Sequence, residues 1–139
     1  MRSSVRLGAG HAPSVVMREV AGVSLTISSV ARAGRVVFTL AGTATEATLE
    51  ELRGLADEFQ TAGHRDLVVD LNQVDFIDCG AIGVLVRSQT RARRAGGSLV
   101  VVCALPHMLR LFDLTGLTRA FEIHPHLEDA FRGVKPTAE

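Results

Sequence analysis

The chain has 139 residues, with 15 basic and 15 acidic side chains and a formal net charge of zero. This length fits one domain, and the balanced charge gives no support for nonspecific binding to nucleic acid or to anionic membranes. The longest apolar run, 99–106, is too short to cross a bilayer, residues 1–20 lack a secretory apolar core, and two cysteines favour a reducing cytoplasm.

The N-terminal part of the chain predicts a flexible tail followed by a hairpin. Residues 1–22 are rich in Arg, Ser, Gly and Ala and show no sustained period, so we expect a flexible tail there, with a short helix over Val15–Val20 as the alternative. Apolar and polar residues then alternate over 23–29 and again over 36–40. Two such runs joined by a glycine-containing turn predict a pair of antiparallel strands.

A helix is predicted next, over about 48–62. Thr48 and Glu51 match a capping box, in which the threonine hydroxyl caps the helix and the glutamate reaches back to it. Leucines follow at helical spacing, and Gly63 suits the left-handed residue that ends many helices.

The middle of the chain predicts one strand–helix–strand unit. Apolar runs at 67–71 and 99–102 are typical of strands covered on both faces, and helical spacing of apolar residues extends over 79–94 between them. The two predicted strands start with similar sequences, DLVV from Asp66 and SLVV from Ser98, and these starts lie 32 residues apart. Two strands joined in this way are expected to be parallel neighbours with a right-handed crossover.

The C-terminal part predicts a third helix from Pro106 to about Gly116, an edge strand over 120–123 and a last helix over 125–131. The fold class is therefore α/β, with a mixed four- to five-stranded sheet, an N-terminal hairpin and about four helices packed on it. We expect the domain to span 23–133 and a C-terminal tail to span 134–139.

The junction between the first buried strand and its helix, 74–83, is the most informative segment. Asp78 or Cys79 is expected at the helix N-cap, where free backbone N–H groups favour a negative group. The small residues Gly80 and Gly83 leave the neighbouring surface open to a partner's backbone. The alternative is an ordinary aspartate cap with glycines that pack a helix against a sheet.

Enzyme chemistry at Cys79 finds little support in the sequence. A phosphatase-type loop needs an arginine where Leu85 stands, and a redox pair needs a second cysteine where Ile82 or Phe76 stands. A cysteine hydrolase needs a histidine base that the sequence cannot place. We therefore expect no catalytic residue.

No metal or cofactor site is predicted either. Cys103 with His107, or His124 with His126, could be considered as metal ligands, but neither pair has a recognised zinc spacing. Glycine-rich phosphate loops do not occur in the sequence. The arginines within 87–94 are interpreted as a solvated helix end.

Three segments resemble the STAS-domain anti-sigma factor antagonists. Residues 76–85, FIDCGAIGVL, resemble the family signature F-[IM]-D-S-[ST]-G-[LI]-G-V-L. Residues 98–117 resemble the family's next strand and helix, and Leu40-Ala41-Gly42 followed by Thr48 resembles the stretch L-x-G-E-[LV]-D-x-x-[TN]. The resemblance extends from about Val23 to Phe131 and implies a STAS fold.

It also implies a bacterial regulatory protein that is not an enzyme. Family members bind an anti-sigma factor, usually a serine kinase with an ATP-binding fold, and so free a sigma factor to engage RNA polymerase. The kinase phosphorylates a Ser or Thr directly after the aspartate at the helix start. Here Cys79 occupies that acceptor position, and residues 42–45, GTAT, lack the family's two carboxylates. We therefore expect partner binding without an ordinary phosphorylation switch.

The resemblance places the expected partner surface around the acceptor-equivalent Cys79. The residues assigned to it are Thr43, Thr45, Asp78, Cys79, Gly80, Ile82, Gly83 and Met108. Two alternatives remain open at this point. One is a redox sensor built on Cys79 and Cys103, and the other is a STAS subunit of a lipid or anion transport complex.

Overall fold

The computed structural model describes residues 14–131, which form a mixed sheet with helices on both faces. The six strands lie side by side in chain order. They are β1 (Ser14–Val20), β2 (Val23–Arg32), β3 (Arg35–Ala44), β4 (Asp66–Ile77), β5 (Ser98–Val102) and β6 (Glu122–His124). The helices are α1 (Glu46–Thr61), α2 (Cys79–Arg94), α3 (Pro106–Leu114) and α4 (Leu127–Phe131). The predicted α/β class and four helices are confirmed, with six strands instead of four to five.

Strands β1, β2 and β3 form an antiparallel meander, and the predicted β2–β3 hairpin is confirmed. Each connection is a two-residue turn, Ala21-Gly22 and Ala33-Gly34, in which all four residues have positive φ. That backbone matches the type I′ turn, whose twist suits the right-handed twist of the flanking strands.

Strand β1 corrects the predicted tail, because residues 14–20 pair with β2 along their whole length. They form neither a flexible segment nor the alternative short helix. Val16 is buried in the core, and Arg18 contacts Glu51 of α1 at 3.4 Å. Because Arg18 is charged yet faces inward, the alternation of apolar and polar residues that would predict this strand is interrupted in the sequence. Residues 1–13 and the predicted tail 134–139 lie outside the described residues.

Strands β3 to β6 are parallel, as predicted for β4 and β5. The register pairs Asp66 with Ser98 and Leu67 with Leu99, which is the 32-residue offset of the sequence. The Ser98 hydroxyl also donates to Asp66 Oδ1 at 2.9 Å. Strand β4 continues beyond the predicted 67–71 because its later residues pair with β3 as far as Ala44.

Helix α1 starts earlier than predicted. Thr45 is the N-cap: its hydroxyl accepts the Thr48 N–H at 3.2 Å, and the Thr48 hydroxyl accepts the Thr45 N–H at 2.9 Å. The predicted capping box of Thr48 and Glu51 is therefore wrong. Thr48 is the third residue of the helix, and the buried side chain of Glu51 faces Arg18 instead.

Two cores lie on opposite faces of the sheet. The larger one packs α1, α2 and α3 against one face, and the smaller one packs α4 against Val37, Val68 and Val100 on the other. Arg32 of β2 contacts α4 in two ways. Its guanidinium donates to both Glu128 carboxylate oxygens at 2.9 Å, and it lies 4.5 Å from the centroid of the Phe131 ring. Among residues 14–131, no helix combines the length and apolar character needed to cross a membrane.

Candidate functional site

Two helices begin side by side at the carboxyl-terminal edge of the parallel strands. Strands β3 and β4 pair up to Ala44 and Ile77, and each is followed at once by a helix. The Asp78 N–H donates to the Ala44 carbonyl at 3.1 Å, so the two junctions are joined by a hydrogen bond. This edge therefore holds the N-termini of α1 and α2 in one rigid place.

Asp78 is the N-cap of α2. Its Oδ1 accepts the Ala81 N–H at 2.8 Å, and its backbone is extended, as the N-cap position requires. The carboxylate thus satisfies one of the N–H groups that a helix start leaves without a partner. Between the two residues predicted for this cap, the structure selects Asp78, and the predicted helix 79–94 is confirmed.

The two cysteines lie in different surroundings, and both are free thiols. Cys79 is the exposed first residue of α2. Cys103 follows β5 and is 1% exposed. Burial raises the pKa of the Cys103 thiol, and the charge of Asp70 raises it further. The exposed Cys79 and the buried Cys103 therefore differ in their access to reagents in solution.

Gly80 is in close contact with α1. A Cβ on residue 80 would stand 2.8 Å from Glu46 Cβ and 3.4 Å from Asp78 Oδ1, so there is no room for a side chain. Arg87 reaches across from α2 to Glu46 at 3.8 Å. At Gly83, a Cβ would meet only the flexible end of Arg87, at 3.3 Å. The open surface beside Cys79 is therefore built by Glu46 as well as by the glycines.

Thr43 and Thr45 lie at the end of β3, both half-buried. The Thr43 carbonyl accepts the Thr48 hydroxyl at 2.9 Å, and Thr45 caps α1. Both residues consequently help to fix the junction between β3 and α1, and each presents only part of its surface.

Ile82 and Met108 do not reach the surface. Ile82 is 5% exposed and Met108 is 0% exposed, and both belong to the larger core. Their predicted direct contact with a partner is therefore corrected. They face inward because apolar side chains at helical spacing pack against the sheet.

Phe76 is a site residue that the sequence-based assignment missed. It is 54% exposed at the end of β4, where it pairs with Thr43 across the ladder. Its neighbours Asp75 and Ile77 are exposed and buried, respectively, because the register between β3 and β4 shifts by one residue here and interrupts the alternation of side chains between the two faces. Phe76-Ile77 reads as one apolar pair in the sequence, and the pairing irregularity that exposes Phe76 carries no local signal.

The site offers a partly apolar surface rather than a set of reacting groups. Phe76, Cys79 and the two glycines all fall within 76–83 at the junction of β4 and α2, and the Asp78 carboxylate is engaged by its helix. Within the described part of the chain, no three His, Cys, Asp or Glu side chains are grouped so that they could hold a metal ion. An exposed aromatic ring beside small residues is suited to contact with another protein.

Known proteins share this fold and part of this sequence. Residues 25–130 match the family profile described as the STAS domain. The putative anti-sigma factor antagonist BtrV of Bordetella bronchiseptica is 26% identical over 102 residues, which cover 73% of this chain and 88% of BtrV. The anti-sigma-F factor antagonist RsfA of Mycobacterium tuberculosis is 33% identical over 70 residues, which cover 50% of this chain and 55% of RsfA. The crystal structure of an anti-sigma factor antagonist from Mycobacterium paratuberculosis has a TM-score of 0.71 and 25% identity, covering 79% of this chain and 93% of that one.

Proposed function

The chain belongs to the STAS domain family, and from this premise we propose that it acts as an anti-sigma factor antagonist. In this role it binds an anti-sigma factor and thereby releases a sigma factor. Relatives that are similar to it over 50–73% of its length carry the name of antagonist. The observation that carries the proposal is the exposed Cys79 at the start of α2, three residues after the exposed Phe76 at the end of β4.

The proposed contact surface lies where β3 and β4 end and α1 and α2 begin. It consists of Thr43, Thr45, Phe76, Asp78, Cys79, Gly80 and Gly83. A half-exposed aromatic ring that becomes buried on binding is the kind of residue that dominates the binding energy of protein interfaces. At Gly83 only the flexible end of Arg87 lies close, so a partner's backbone can approach there, whereas the space at Gly80 is filled by Glu46.

We further propose that the partner is a serine-kinase type of anti-sigma factor and that the complex is not switched by phosphorylation at the acceptor position. Cys79 has no hydroxyl group, and the Thr45 hydroxyl is engaged in the cap of α1. A phosphate would add about −1.5 to −2 charges to this surface. Intact-mass analysis after incubation with the kinase and ATP is expected to show no phosphate on residues 75–90, and one phosphate mapped there would contradict the proposal.

Calorimetric titration against each purified anti-sigma factor of the same bacterium tests the binding itself. We expect one of them to bind, and we expect Phe76→Ala to weaken that binding by at least about tenfold, as for a central aromatic contact. Leu114→Ala is the matched control, because Leu114 is 78% exposed but lies at the far end of α3. Equal losses for the two variants would show that the surface at Phe76 is not the interface.

A further inference from the structure

A small cavity opens between the edge strand β1 and the C-terminal half of α1. Its volume is about 240 Å³, and its lining residues are Ser14, Ser29, Leu55, Glu58, Phe59, Ala62 and His64. Cavities that hold small ligands usually measure roughly 300–1,000 Å³. This space therefore suits one or two side chains better than a separate ligand.

The α1 wall of the cavity is largely apolar. Leu55 is buried, whereas Phe59 is only half-buried. The Phe59 ring meets Phe38 and His64 edge to face, with ring centroids 5.7 Å and 5.6 Å away. Covering the rest of this ring would remove apolar surface from water, which is favourable. The wall therefore favours an occupant with an aliphatic side chain.

Two acids lie on the face of α1 that is turned to β1. Glu51, Leu55 and Glu58 follow one another at helical spacing, so they share this face. Glu51 is contacted by Arg18 of β1 at 3.4 Å, and Glu58 is exposed at the cavity. Two carboxylates on one face favour an occupant that brings basic side chains.

The sequence of residues 1–13, MRSSVRLGAGHAP, has this composition. It contains no acid, and its basic and branched aliphatic residues are Arg2, Arg6, His11, Val5 and Leu7. The segment joins the described chain at Ser14, which itself lines the cavity. An extended chain spans about 3.3–3.6 Å per residue, so Leu7, seven residues before Ser14, can reach every part of a cavity of this size.

We propose that residues 1–13 cover this cavity, with Leu7 packed against Phe59 and Arg6 beside Glu58. The segment then acts as a strap that holds the end of α1 to β1. Because it is attached at the cavity, its local concentration there exceeds that of a second copy in solution. The cavity lies at the C-terminal end of α1 and the proposed partner surface at its start, so this inference does not rest on the proposed function.

Paramagnetic broadening of nuclear magnetic resonance signals tests the position of the segment in the full chain. A nitroxide label is attached to Ser4→Cys in a Cys79→Ser background, in which the remaining Cys103 is buried. We expect broadening of the backbone amide signals of 55–64 and none of those of 106–114 on α3, which packs near the opposite edge of the sheet. The control mixes spin-labelled chains with isotope-labelled chains that carry no nitroxide, and no broadening is expected because the contact lies within one chain. Uniform broadening would overturn the proposal, and equal broadening in the mixed sample would assign the cavity to a second copy instead.

Thermal unfolding provides an independent readout. Leu7→Ser is expected to lower the melting temperature by at least about 4 °C, because the cavity loses its apolar filling. Leu114→Ser is the matched control, since Leu114 is 78% exposed, and should leave the melting temperature within about 2 °C of the wild type. Equal melting temperatures for Leu7→Ser and the wild type would overturn the proposal.

Discussion

Glu46 of α1 occupies the space that a side chain on residue 80 of α2 would need. The Glu46 Cβ lies 2.8 Å from the point where a Cβ of residue 80 would stand, well inside van der Waals contact. The two helix starts are therefore packed backbone to side chain, and Glu46 fits in this place because residue 80 is glycine. Helix α1, which follows β3, thus shapes a surface that the sequence assigned mainly to α2.

Gly80→Ala is expected to lower the free energy of unfolding by about 1–3 kcal/mol, the usual cost of forcing extra atoms into a packed site. The control is Gly54→Ala on α1, where a new Cβ would have nothing within 4 Å. That change should stabilise the protein by up to about 1 kcal/mol, since alanine favours helix more than glycine does. Urea unfolding of both variants measures the difference.

A double variant identifies the cause of the loss. The free-energy cost of Gly80→Ala is measured once in the wild type and once in a Glu46→Gly variant. If Glu46 is the obstacle, most of that cost should disappear in the Glu46→Gly variant. A full loss that persists without the Glu46 side chain would show that another contact restricts residue 80.

The Asp78 cap gives a second stability prediction. Asp78→Ala removes the acceptor of the Ala81 N–H and is expected to cost about 1 kcal/mol. Asp78→Asn keeps an acceptor oxygen, so its loss should be only a few tenths of that value. Thermal unfolding of the pair measures this, and equal losses would mean that charge rather than the hydrogen bond stabilises the start of α2.

Much of the fold followed from local patterns in the sequence. The extent of α2 was predicted correctly because an aspartate cap and a Gly96-Gly97 pair mark its ends. The parallel pairing of β4 and β5 followed from two similar strand starts with one helix between them. These elements carry their own start and stop signals, so no distant contact was needed to place them.

The remaining differences depend on distant contacts. The inward side chain of Arg18 is compatible with β1 only because Glu51 of α1 faces it. Thr48 resembles a cap in the sequence, yet the chain turns three residues earlier, where Thr45 meets it. Neither the exposure of Phe76 nor the burial of Met108 could be known before the packing of β4 and α3 was known.

The turns offer a stabilising change. Ala21 and Ala33 have φ values of 54° and 51°, a region that costs an L-residue such as alanine about 1–2 kcal/mol. Asparagine tolerates this region and is favoured in type I′ turns. Ala21→Asn is therefore expected to raise the free energy of unfolding by about 0.5–1 kcal/mol. The same change at Ala31, in strand β2, should lower it, and a gain at both positions would contradict the explanation.

The cysteines should differ in reactivity. Iodoacetamide is expected to alkylate the exposed Cys79 at least about tenfold faster than Cys103, because only the thiolate reacts and Cys103 is buried with a raised pKa. Since that pKa is raised, the Cys103 rate should continue to increase at pH values above the pKa of a free cysteine. Peptide mapping at several pH values measures both rates, and equal rates would show that the core opens freely around Cys103.

The charge at residue 79 tests the central claim most directly. Against the anti-sigma factor that binds the wild type, Cys79→Ser is expected to keep the affinity within about threefold, because the side chain at residue 79 stays small and uncharged. Cys79→Asp should weaken binding by at least about 100-fold, since an unpaired charge buried in an interface costs several kcal/mol. Calorimetric titration of the two variants gives both values. Equal affinity for Cys79→Asp and the wild type would contradict the claim that the start of α2 is the partner-binding surface.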